Sequence, residues 1–375
     1  MSDKKRVLFI TYFFETKDGV GAQRVSYWAN NIAQLSNDSI SCDVLTSKYD
    51  LKEQHNGIDN VFCVGGEGKS IFNLFVKDQG YNWQKNIRSF FLKRDNSVKY
   101  DTIIISGGPF MQFQLVPFMK KLFNCQVILD FRDPFANNPH FGNSWLKIMV
   151  KAHYERLFIN NADTVLTINE TCSKLLSFSE RNIDKLKIIE NGYDDLIVDK
   201  ANLQNNISDN DKINFVYAGK FYDDLNPARF LKLISSADNA NNFSFSYIGT
   251  EASTIAGFES ITDHGAKDYR STIDIINSCD IGLIFTGGKP FESTTKIFDY
   301  IGLNKPIAII TGGTTKTGEL HSITAGYPCV FWAENNETSI LTMLEKLKSS
   351  NLEVNYPDRD TFSRRAGLIK LIDMI

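Results

Sequence analysis

The sequence predicts an α/β protein with two domains, each built on a doubly wound parallel sheet. Strand-like apolar runs alternate with helix-like amphipathic runs along nearly the whole chain. This alternation is typical of parallel sheets covered by helices on both faces. The pattern breaks once, at the polar, Asn-rich stretch 199–211, and then restarts. A length of 375 residues also favours two domains of ordinary size over one.

The polar stretch sets the expected domain boundaries. We expect a first domain at residues 1–195, a linker at 196–212, a second domain at 213–356 and a terminal helical segment at 357–375 that packs back on the first domain. Open parallel sheets bind their ligands beyond the carboxyl ends of the strands. The cleft between two such sheets is therefore the expected site.

Composition and charge narrow the class of protein. Hydrophobic residues make up 42% and charged residues 23% of the chain, which is typical of a globular protein with an ample core. The net charge of −3 gives no general attraction to nucleic acid, so we expect no nucleic-acid partner. Six cysteines are scattered without a Cys-x-x-Cys pair. Reduced thiols in the cytoplasm are therefore favoured over a disulfide framework or a zinc site.

Neither a membrane span nor a metal site is expected. The apolar run 7–14 is short and lacks a small-residue cleavage site, so it predicts a first buried strand rather than a signal peptide. No run approaches the length of a membrane span. Two Asp-x-Asp pairs, at 209–211 and 358–360, do not follow apolar strands, and His and Cys do not cluster at ligand spacing.

The stretch Phe291–Ile301 is the most informative part of the second half. Strand-like runs flank it on both sides, and apolar residues recur within it at helical spacing. We therefore expect a helix over 293–301, capped by Ser293 or Thr294. A helix that begins directly beyond a parallel strand presents free N–H groups and a positive dipole end, so the turn from Ser293 to Thr295 suits a phosphate.

Two carboxylates flank that turn. Glu292 precedes it and Asp299 follows it, and carboxylates suit the hydroxyls of a sugar or a ribose. Physical reasoning on this stretch alone favours a site for an anion and hydroxyl groups. An ordinary strand–helix unit with solvated charges is the alternative.

Three glycine or amide positions in the first half also follow predicted strands. The loop with Gly19 and Gly21 lacks the third glycine of a dinucleotide fingerprint, and we interpret it as a loop that lets a substrate approach the backbone. Gly108 lets a ligand come close to the sheet edge, with a simple turn as the alternative. Asn191 lies where the chain leaves the first domain, and turn chemistry alone would also explain it.

The remaining candidate binding residues are mostly charged and lie near the ends of predicted strands. In the first half, Arg132 and Asp133 follow a strand and could contact a polyhydroxylated substrate, although an internal Arg–Asp pair would also explain them. In the second half, Lys220 comes directly after the strand-ending Gly219, where its charge can reach a diphosphate. Gly249 ends the next strand of the same pattern. His264 could line a base pocket, or it could be a surface histidine.

Taken together, these positions resemble a known family. The resemblance covers nearly the whole chain and rests on the runs at 7–13, 128–134, 189–194, 215–220, 247–249, 277–283 and 295–307. Their order and spacing resemble the family-four retaining glycosyltransferases, which build glycolipids and bacterial polysaccharides. These enzymes have the GT-B architecture, in which two Rossmann-like domains face each other across a cleft.

The resemblance assigns roles to several residues. The family carries a Glu, seven residues and then a second Glu. Asp299 matches the second position and is expected to hold the ribose hydroxyls. The first position falls on Phe291, with Glu292 one place later, so a shorter loop would let Glu292 approach the donor sugar. Lys220 matches the first of two basic residues on the diphosphate, and Arg229 is a candidate for the second.

The implied reaction moves a sugar from a nucleotide-diphosphate sugar, a UDP-sugar by default, to a glycan or lipid-linked acceptor. The donor would lie mostly on the second domain, with the diphosphate stabilised by Lys220 and the turn at 293–295, and with no metal or other cofactor required. The acceptor would enter through the first domain, past Gly19, Gly21 and the loop 131–134. Asp133, Arg132, Lys220 and Glu292 form the expected catalytic set.

The segment 69–94 raises the question of membrane contact. It holds six basic residues against one acid, Asp78, with interleaved aromatic residues. We hypothesise peripheral contact with an anionic membrane, and the alternative is a core-packing segment with a solvated basic face. Two other functions stay open: an epimerase- or phosphorylase-like enzyme of the same architecture, and a non-catalytic sugar-nucleotide-binding protein.

Overall fold

The computed structural model describes residues 4–15, 20–49, 57–66, 76–95, 97–139, 144–201, 212–221, 227–258 and 260–375, the side chains of 20, 21, 49 and 252 aside. The chain divides into two compact units. The first comprises residues 1–190 together with 367–375, and the second comprises 191–366. Each unit contains one sheet, and all recorded strand pairings are parallel. The predicted fold class, with two doubly wound parallel sheets, is confirmed.

The first unit has a seven-stranded sheet in the order β3-β2-β1-β4-β5-β6-β7. Its strands are β1 (Lys5–Phe14), β2 (Ile40–Tyr49), β3 (Ile58–Cys63), β4 (Thr102–Ser106), β5 (Gln126–Asp130), β6 (Thr164–Thr167) and β7 (Leu186–Ile188). The central strands are apolar and buried on both faces, as a parallel sheet covered by helices requires.

Helices cover both faces of this sheet. They are α1 (Val20–Leu35), α2 (Gly80–Lys93), α3 (Val116–Phe123), α4 (Trp145–Asn161) and α5 (Glu170–Leu175), with 3-10 turns at Met111–Leu115 and Glu180–Lys185. The helices α2, α3 and α4 contribute to one core, which contains Trp83, Met119 and Phe158. The opposite core contains Trp28 of α1.

The second unit has a six-stranded sheet in the order β10-β9-β8-β11-β12-β13. Its strands are β8 (Ile213–Ala218), β9 (Phe243–Ile248), β10 (Ile261–Asp263), β11 (Ile281–Thr286), β12 (Ile307–Thr311) and β13 (Val330–Glu334). The helices from here to the end of the chain are α6 (Asp195–Val198), α7 (Ala228–Ile234), α8 (Ala252–Ile255), α9 (Tyr269–Ser278), α10 (Lys296–Gly302), α11 (Gly318–Thr324), α12 (Glu337–Lys348) and α13 (Arg364–Ile372), with a 3-10 turn at Pro357–Phe362.

The chain crosses between the units at 190/191 and at 366/367. Of the predicted linker 196–212, residues 202–211 lie outside the described part of the chain, whereas α6 belongs to the second unit. The terminal residues 367–375 belong to the first unit, where Leu368 and Leu371 are fully buried in the core with Val7 and Phe9.

A tyrosine marks the point where the strand order of the second sheet reverses. There β8 lies beside β11, and their recorded pairing covers only the pairs Ile281–Phe215 and Gly282–Val216. Just beyond this ladder, the Tyr300 hydroxyl lies 3.2 Å from the carbonyl oxygen of Val216 and 3.1 Å from that of Leu283. The carboxyl ends of the two strands therefore border a crevice, which is where open parallel sheets bind ligands.

Candidate functional site

The crevice in the second unit begins at the turn that follows β8. Gly219 has a φ of +126°, a conformation that residues with a Cβ rarely adopt. A Cβ at this position would lie 2.8 Å from Cε and 2.9 Å from Nζ of Lys296. The glycine therefore lets the backbone after β8 approach the lysine that opens α10.

Lys296 is a half-buried cation at this point. Its ammonium group lies 4.8 Å from the ring centroid of Tyr217 and 3.5 Å from the hydroxyl of Thr294. It forms no ion pair among the described residues. Burial lowers its pKa to about 8, although the carboxylate of Asp299 opposes that shift. A half-buried ammonium that forms no ion pair is costly, so this position favours binding of an anion.

Sequence reasoning did not assign Lys296 a role, although the residue lies inside the most informative stretch. The predicted second basic residue, Arg229, is exposed and donates to the carbonyl of Asn335. Its guanidinium group therefore contacts a different loop. Lys296 lies beside Gly219 instead. One feature of the sequence could have indicated its role. Lys296 lies at the start of a helix that follows a strand, at the point where the strand order reverses.

Asp299 lies one turn further along α10. The Tyr269 hydroxyl donates to Asp299 Oδ1 at 2.5 Å. Burial raises the pKa of Asp299 to about 6, and the hydrogen bond from Tyr269 and the charge of Arg364 oppose that shift. Among the described residues, Oδ2 has no hydrogen-bond partner. Asp299 therefore presents one oriented oxygen acceptor close to Lys296.

A positioning network lies behind this carboxylate. Arg364 lies over the Tyr269 ring, with 5.3 Å from its guanidinium carbon to the ring centroid. The same guanidinium pairs with Asp194 at 3.1 Å and donates to the carbonyl of Gly192 at 3.0 Å. Arg364 thus covers one face of the Tyr269 ring, and the Tyr269 hydroxyl also accepts from the backbone N–H of Asp194 at 3.4 Å, which helps to fix its direction.

The predicted catalytic Glu292 folds back on its own loop. Its Oε2 accepts from the Thr286 hydroxyl and from the backbone N–H of Gly288, the latter at 3.1 Å. In this conformation the carboxylate stabilises the turn after β11. Its predicted role towards a donor sugar stays a prediction.

A second turn of the same composition lies beside the first. Thr286 ends β11 and is followed by Gly287-Gly288, and Thr311 ends β12 and is followed by Gly312-Gly313. Thr286 pairs with Thr311 in register. A Cβ at Gly288, which has a φ of +82°, would lie 2.6 Å from the Cα of Gly313. The two turns pack backbone to backbone, a contact that the sequence analysis missed although both Thr-Gly-Gly runs are visible.

The predicted helix over 293–301 begins later than expected. Helix α10 starts at Lys296, and Thr295 occupies the N-cap without a side-chain hydrogen bond. The chain through Ser293 and Thr294 is a loop, and the N–H groups of Ile297 and Phe298 bond the carbonyls of Thr294 and Thr295 at 3.2 Å. The expectation of a cap by Ser293 or Thr294 was therefore wrong, because the chain folds into a tight turn before the helix.

The remaining candidates of the second unit lie along the same edge. Lys220 is exposed, and its carbonyl accepts from the Tyr217 hydroxyl at 2.7 Å. A Cβ at Gly249 would lie 2.6 Å from the carbonyl oxygen of Gly219, so the turns after β8 and β9 touch. His264 follows β10, and its Nε2 is buried without a hydrogen-bond partner in the described structure.

In the first unit, Asp130 and Arg24 form a buried pair. Their side chains approach to 3.3 Å, and Asp130 also accepts from the Ser106 hydroxyl at 2.9 Å. Arg24 donates to the carbonyls of Ile189 and Glu190 at 2.7 and 3.2 Å. Burial lowers the pKa of Arg24, against the opposing charge of Asp130. This buried ion pair links three segments of the first unit, so we interpret its role as structural.

Arg132 and Gly108 come together as the predicted strand ends require. Arg132 donates to the carbonyl of Gly107, and a Cβ at Gly108 would lie 3.5 Å from Arg132 Nη2. Asp133 is exposed beside it. Gly19 lies outside the described residues, Gly21 lies in the first turn of α1, and Asn191 is the first residue of the second unit.

Comparison with known proteins identifies the architecture. No family model matches the chain, and no curated protein does. Among solved structures, the sucrose-phosphate synthase of Thermosynechococcus elongatus matches with a TM-score of 0.69 and 11% identity, covering 99% of this chain and 98% of that one. The fold is GT-B.

Two further structures share the GT-B fold with this chain. The lipopolysaccharide outer core galactosyltransferase WaaB, in its apo form, gives a TM-score of 0.60 at 10% identity, with 98% and 99% of the two chains covered. The UDP-GlcNAc 2-epimerase of Neisseria meningitidis, bound to UDP-GlcNAc, gives 0.56 at 13% identity, with 98% and 99% covered. At these identities the likeness concerns the fold.

Two negative findings apply to the described part of the chain. It contains no group of three or more His, Cys, Asp or Glu side chains that could hold a metal ion. None of its helices combines the length and the apolar character needed to cross a membrane.

Proposed function

We propose that this protein is a glycosyltransferase that moves a sugar from a nucleotide-diphosphate sugar to a glycan or lipid-linked saccharide. The observation that carries the proposal is Lys296, a half-buried ammonium that forms no ion pair among the described residues, beside Gly219 at the reversal point of a GT-B sheet. A diphosphate is an anion of suitable charge for this position. Asp299, one helical turn away, offers an acceptor oxygen suited to a ribose hydroxyl.

In the proposed mechanism, Lys296 and Lys220 stabilise the negative charge that develops on the departing diphosphate. Such stabilisation acts most strongly where water is excluded, and Lys296 is half-buried. We propose that the two lysines perform this task without a metal ion. Tyr269 holds Asp299 Oδ1, which leaves Oδ2 to accept from the nucleoside.

The proposal also covers the nucleotide, the product, the stereochemistry and the residues on the acceptor side. The solved structures that share the fold include a lipopolysaccharide galactosyltransferase and an enzyme bound to UDP-GlcNAc, which supports UDP as the nucleotide and surface polysaccharide as the product. Retention of the anomeric configuration follows from the family resemblance. On the acceptor side we assign Arg132 and Asp133, with Gly108 giving access to the sheet edge.

A second candidate is a sugar-nucleotide epimerase, which the similarity in fold to the UDP-GlcNAc 2-epimerase favours. Such an enzyme would bind the same nucleotide in the same crevice and would convert the sugar without an acceptor. Release of free UDP therefore separates the two reactions. A protein that only binds the nucleotide would show neither reaction.

The test begins with thermal-shift binding of UDP, GDP, ADP, CMP and dTDP, with and without chelator. We expect one diphosphate to raise the melting temperature, with no effect of the chelator. Sugar donors of that base are then incubated with lipid-linked saccharide acceptors, and product is followed by mass spectrometry. Binding without UDP release but with a changed donor sugar would assign an epimerase, and no binding by any nucleotide would overturn the proposal.

A further inference from the structure

Helix α4 in the first unit has an unusual distribution of side chains. Nine large apolar side chains are exposed in the described part of the chain, and four of them lie on this helix. Trp145 is 67% exposed, Met149 59% and Leu146 49%, all in the first two turns, and Leu157 follows later. The helix therefore presents an apolar surface to solvent, defined here as the α4 patch (Trp145, Leu146 and Met149).

Polar residues on the opposite side fix this orientation. Glu155 is fully buried and accepts from the backbone N–H groups of Phe135, Ala136 and Ser177 at 2.8, 3.1 and 2.8 Å. Lys151 is also buried, with its ammonium group 5.2 Å from the centroid of the Phe135 ring. Glu155 and Lys151 thus share the inward face of α4 with Ala152, Phe158 and Ile159, whereas Trp145, Leu146 and Met149 face outward.

The charge of the surrounding face is strongly one-sided. The helices α2, α3 and α4, which contribute to one core, carry eight Lys or Arg residues: three on α2, two on α3 and three on α4. Of these, Lys151 is buried and Lys120 pairs with Asp163 at 2.6 Å, which leaves six for the surface. The only acid on these three helices is Glu155, and it is buried. A basic face is therefore present on a chain whose net charge is −3.

This arrangement changes the expectation for the segment 69–94. Residues 69–75 lie outside the described part, and in α2 the aromatic side chains of Trp83 and Phe91 are buried in the core. The segment thus offers mainly charge, from residues such as Lys85 and Lys93, together with one exposed apolar side chain, Leu92. The apolar component lies on α4, whose first turn follows the carboxyl edge of the sheet where Arg132 and Asp133 are found.

We propose that the α4 patch docks on an anionic lipid surface, with Trp145, Leu146 and Met149 in the interfacial layer and the basic face against the lipid head groups. Exposed apolar residues beside Lys and Arg are the combination that holds a helix at such an interface. A symmetric dimer through the same patch would place like charges opposite one another, which disfavours a second copy as the occupant. The inference holds for either reaction proposed above.

The test is vesicle co-sedimentation of the full chain, with vesicles of phosphatidylcholine alone and with about one third phosphatidylglycerol. We expect binding to the anionic vesicles only, reduced about tenfold in W145S/L146S/M149S and similarly in K147E/R156E. Matched controls change similar residues of the second unit, Leu196→Ser for the apolar patch and K212E/K232E for the charges. Both controls should bind like the unaltered protein.

A spectroscopic readout identifies the inserted residue. Trp28 and Trp83 are buried, and Trp332 is half-buried in β13 of the second unit. Brominated lipids should therefore quench chiefly Trp145, and Trp145→Phe should abolish most of that quenching while most of the binding is kept. Equal binding to neutral vesicles, binding unaffected by the triple variant, or no binding at all would overturn the proposal. A dimer in solution that the triple variant abolishes would assign the patch to a second copy instead and would equally overturn it.

Discussion

Tyr269 and Asp299 share a 2.5 Å hydrogen bond between the phenol hydroxyl and Oδ1, although 30 residues separate them in the chain. Tyr269 opens α9 and Asp299 lies in α10, so the bond joins the starts of two helices on the same sheet. The carboxylate is held by one oxygen and leaves the other for a ligand. This relationship makes Tyr269 a positioning residue for the proposed ribose contact.

Tyr269→Phe should weaken nucleotide binding by about tenfold, because Asp299 loses the bond that orients it. Isothermal titration with the diphosphate found in the nucleotide screen measures the change. Tyr327→Phe is the matched control, since it removes a buried hydroxyl bonded to the Lys305 carbonyl elsewhere in the unit. The control should lower stability and leave affinity unchanged. Equal affinity in both variants would remove Tyr269 from the site.

Lys296→Met should abolish measurable diphosphate binding and raise the melting temperature of the nucleotide-free protein by about 2–4 °C. Burial lowers the pKa of Lys296 from 10.5 to about 8, so the charged form is disfavoured in the folded protein. Its contribution to stability is present above pH 10.5 and is lost as the pH falls through 8. At pH 7 the charge is therefore a cost that methionine removes.

Lys305→Met provides the contrast for that experiment. Lys305 is also buried in the second unit, but its ammonium group donates to the Asn277 carbonyl at 2.6 Å. We expect this variant to have a lower melting temperature and unchanged nucleotide affinity. Differential scanning fluorimetry with and without the nucleotide measures both effects. If Lys296→Met bound the nucleotide normally, the proposed function would lose its main support.

Nucleotide binding at pH 8 should be coupled to proton uptake. Near its pKa of about 8, roughly half of the Lys296 side chains are neutral, and a bound diphosphate would favour the charged form. Each binding event should then take up a fraction of a proton, and affinity should fall as the pH rises from 8 to 10. Titrations in two buffers of different ionisation enthalpy measure this uptake. The same proton uptake in a Lys220→Met variant would support this prediction. No proton uptake by the unaltered protein would contradict it.

Gly282→Ala should destabilise the protein by about 1–3 kcal/mol, because its Cβ would overlap the Tyr300 ring at the strand reversal point. Denaturant unfolding measures the loss. Gly326→Ala is the control, since the atom nearest to its Cβ would be 3.7 Å away. A second substitution, Tyr300→Leu, makes room for the methyl group. Destabilisation by Gly282→Ala should therefore be smaller in that background.

The sequence predicted the sheets well because β11 and β12 are short apolar runs that end in Thr-Gly-Gly, so their ends are visible as changes of composition. The start of α10 was less predictable. Ser293 and Thr294 have good capping side chains, but the chain through them is a loop, and no local pattern indicates this. Residue type therefore predicted the ends of the strands better than the start of the helix.

Lys296 and Glu155 were missed for a common reason. Each is a charged residue on a helix, and a solvated position is the ordinary expectation for such a residue. Lys296 is covered because Gly219 adopts a left-handed conformation, and Glu155 is covered because three N–H groups from two loops converge on it. Both causes are long-range contacts, which hydrophobic periodicity does not report.

The core position of Leu368 and Leu371 has a consequence for how the protein is made. Both pack beside Val7 and Phe9, yet the ribosome adds them only after every residue of the second unit. The unit that is translated first is therefore completed last, and Val7 and Phe9 lack these partners while most of the chain is synthesised. During that interval the nascent chain exposes apolar surface that a chaperone could recognise.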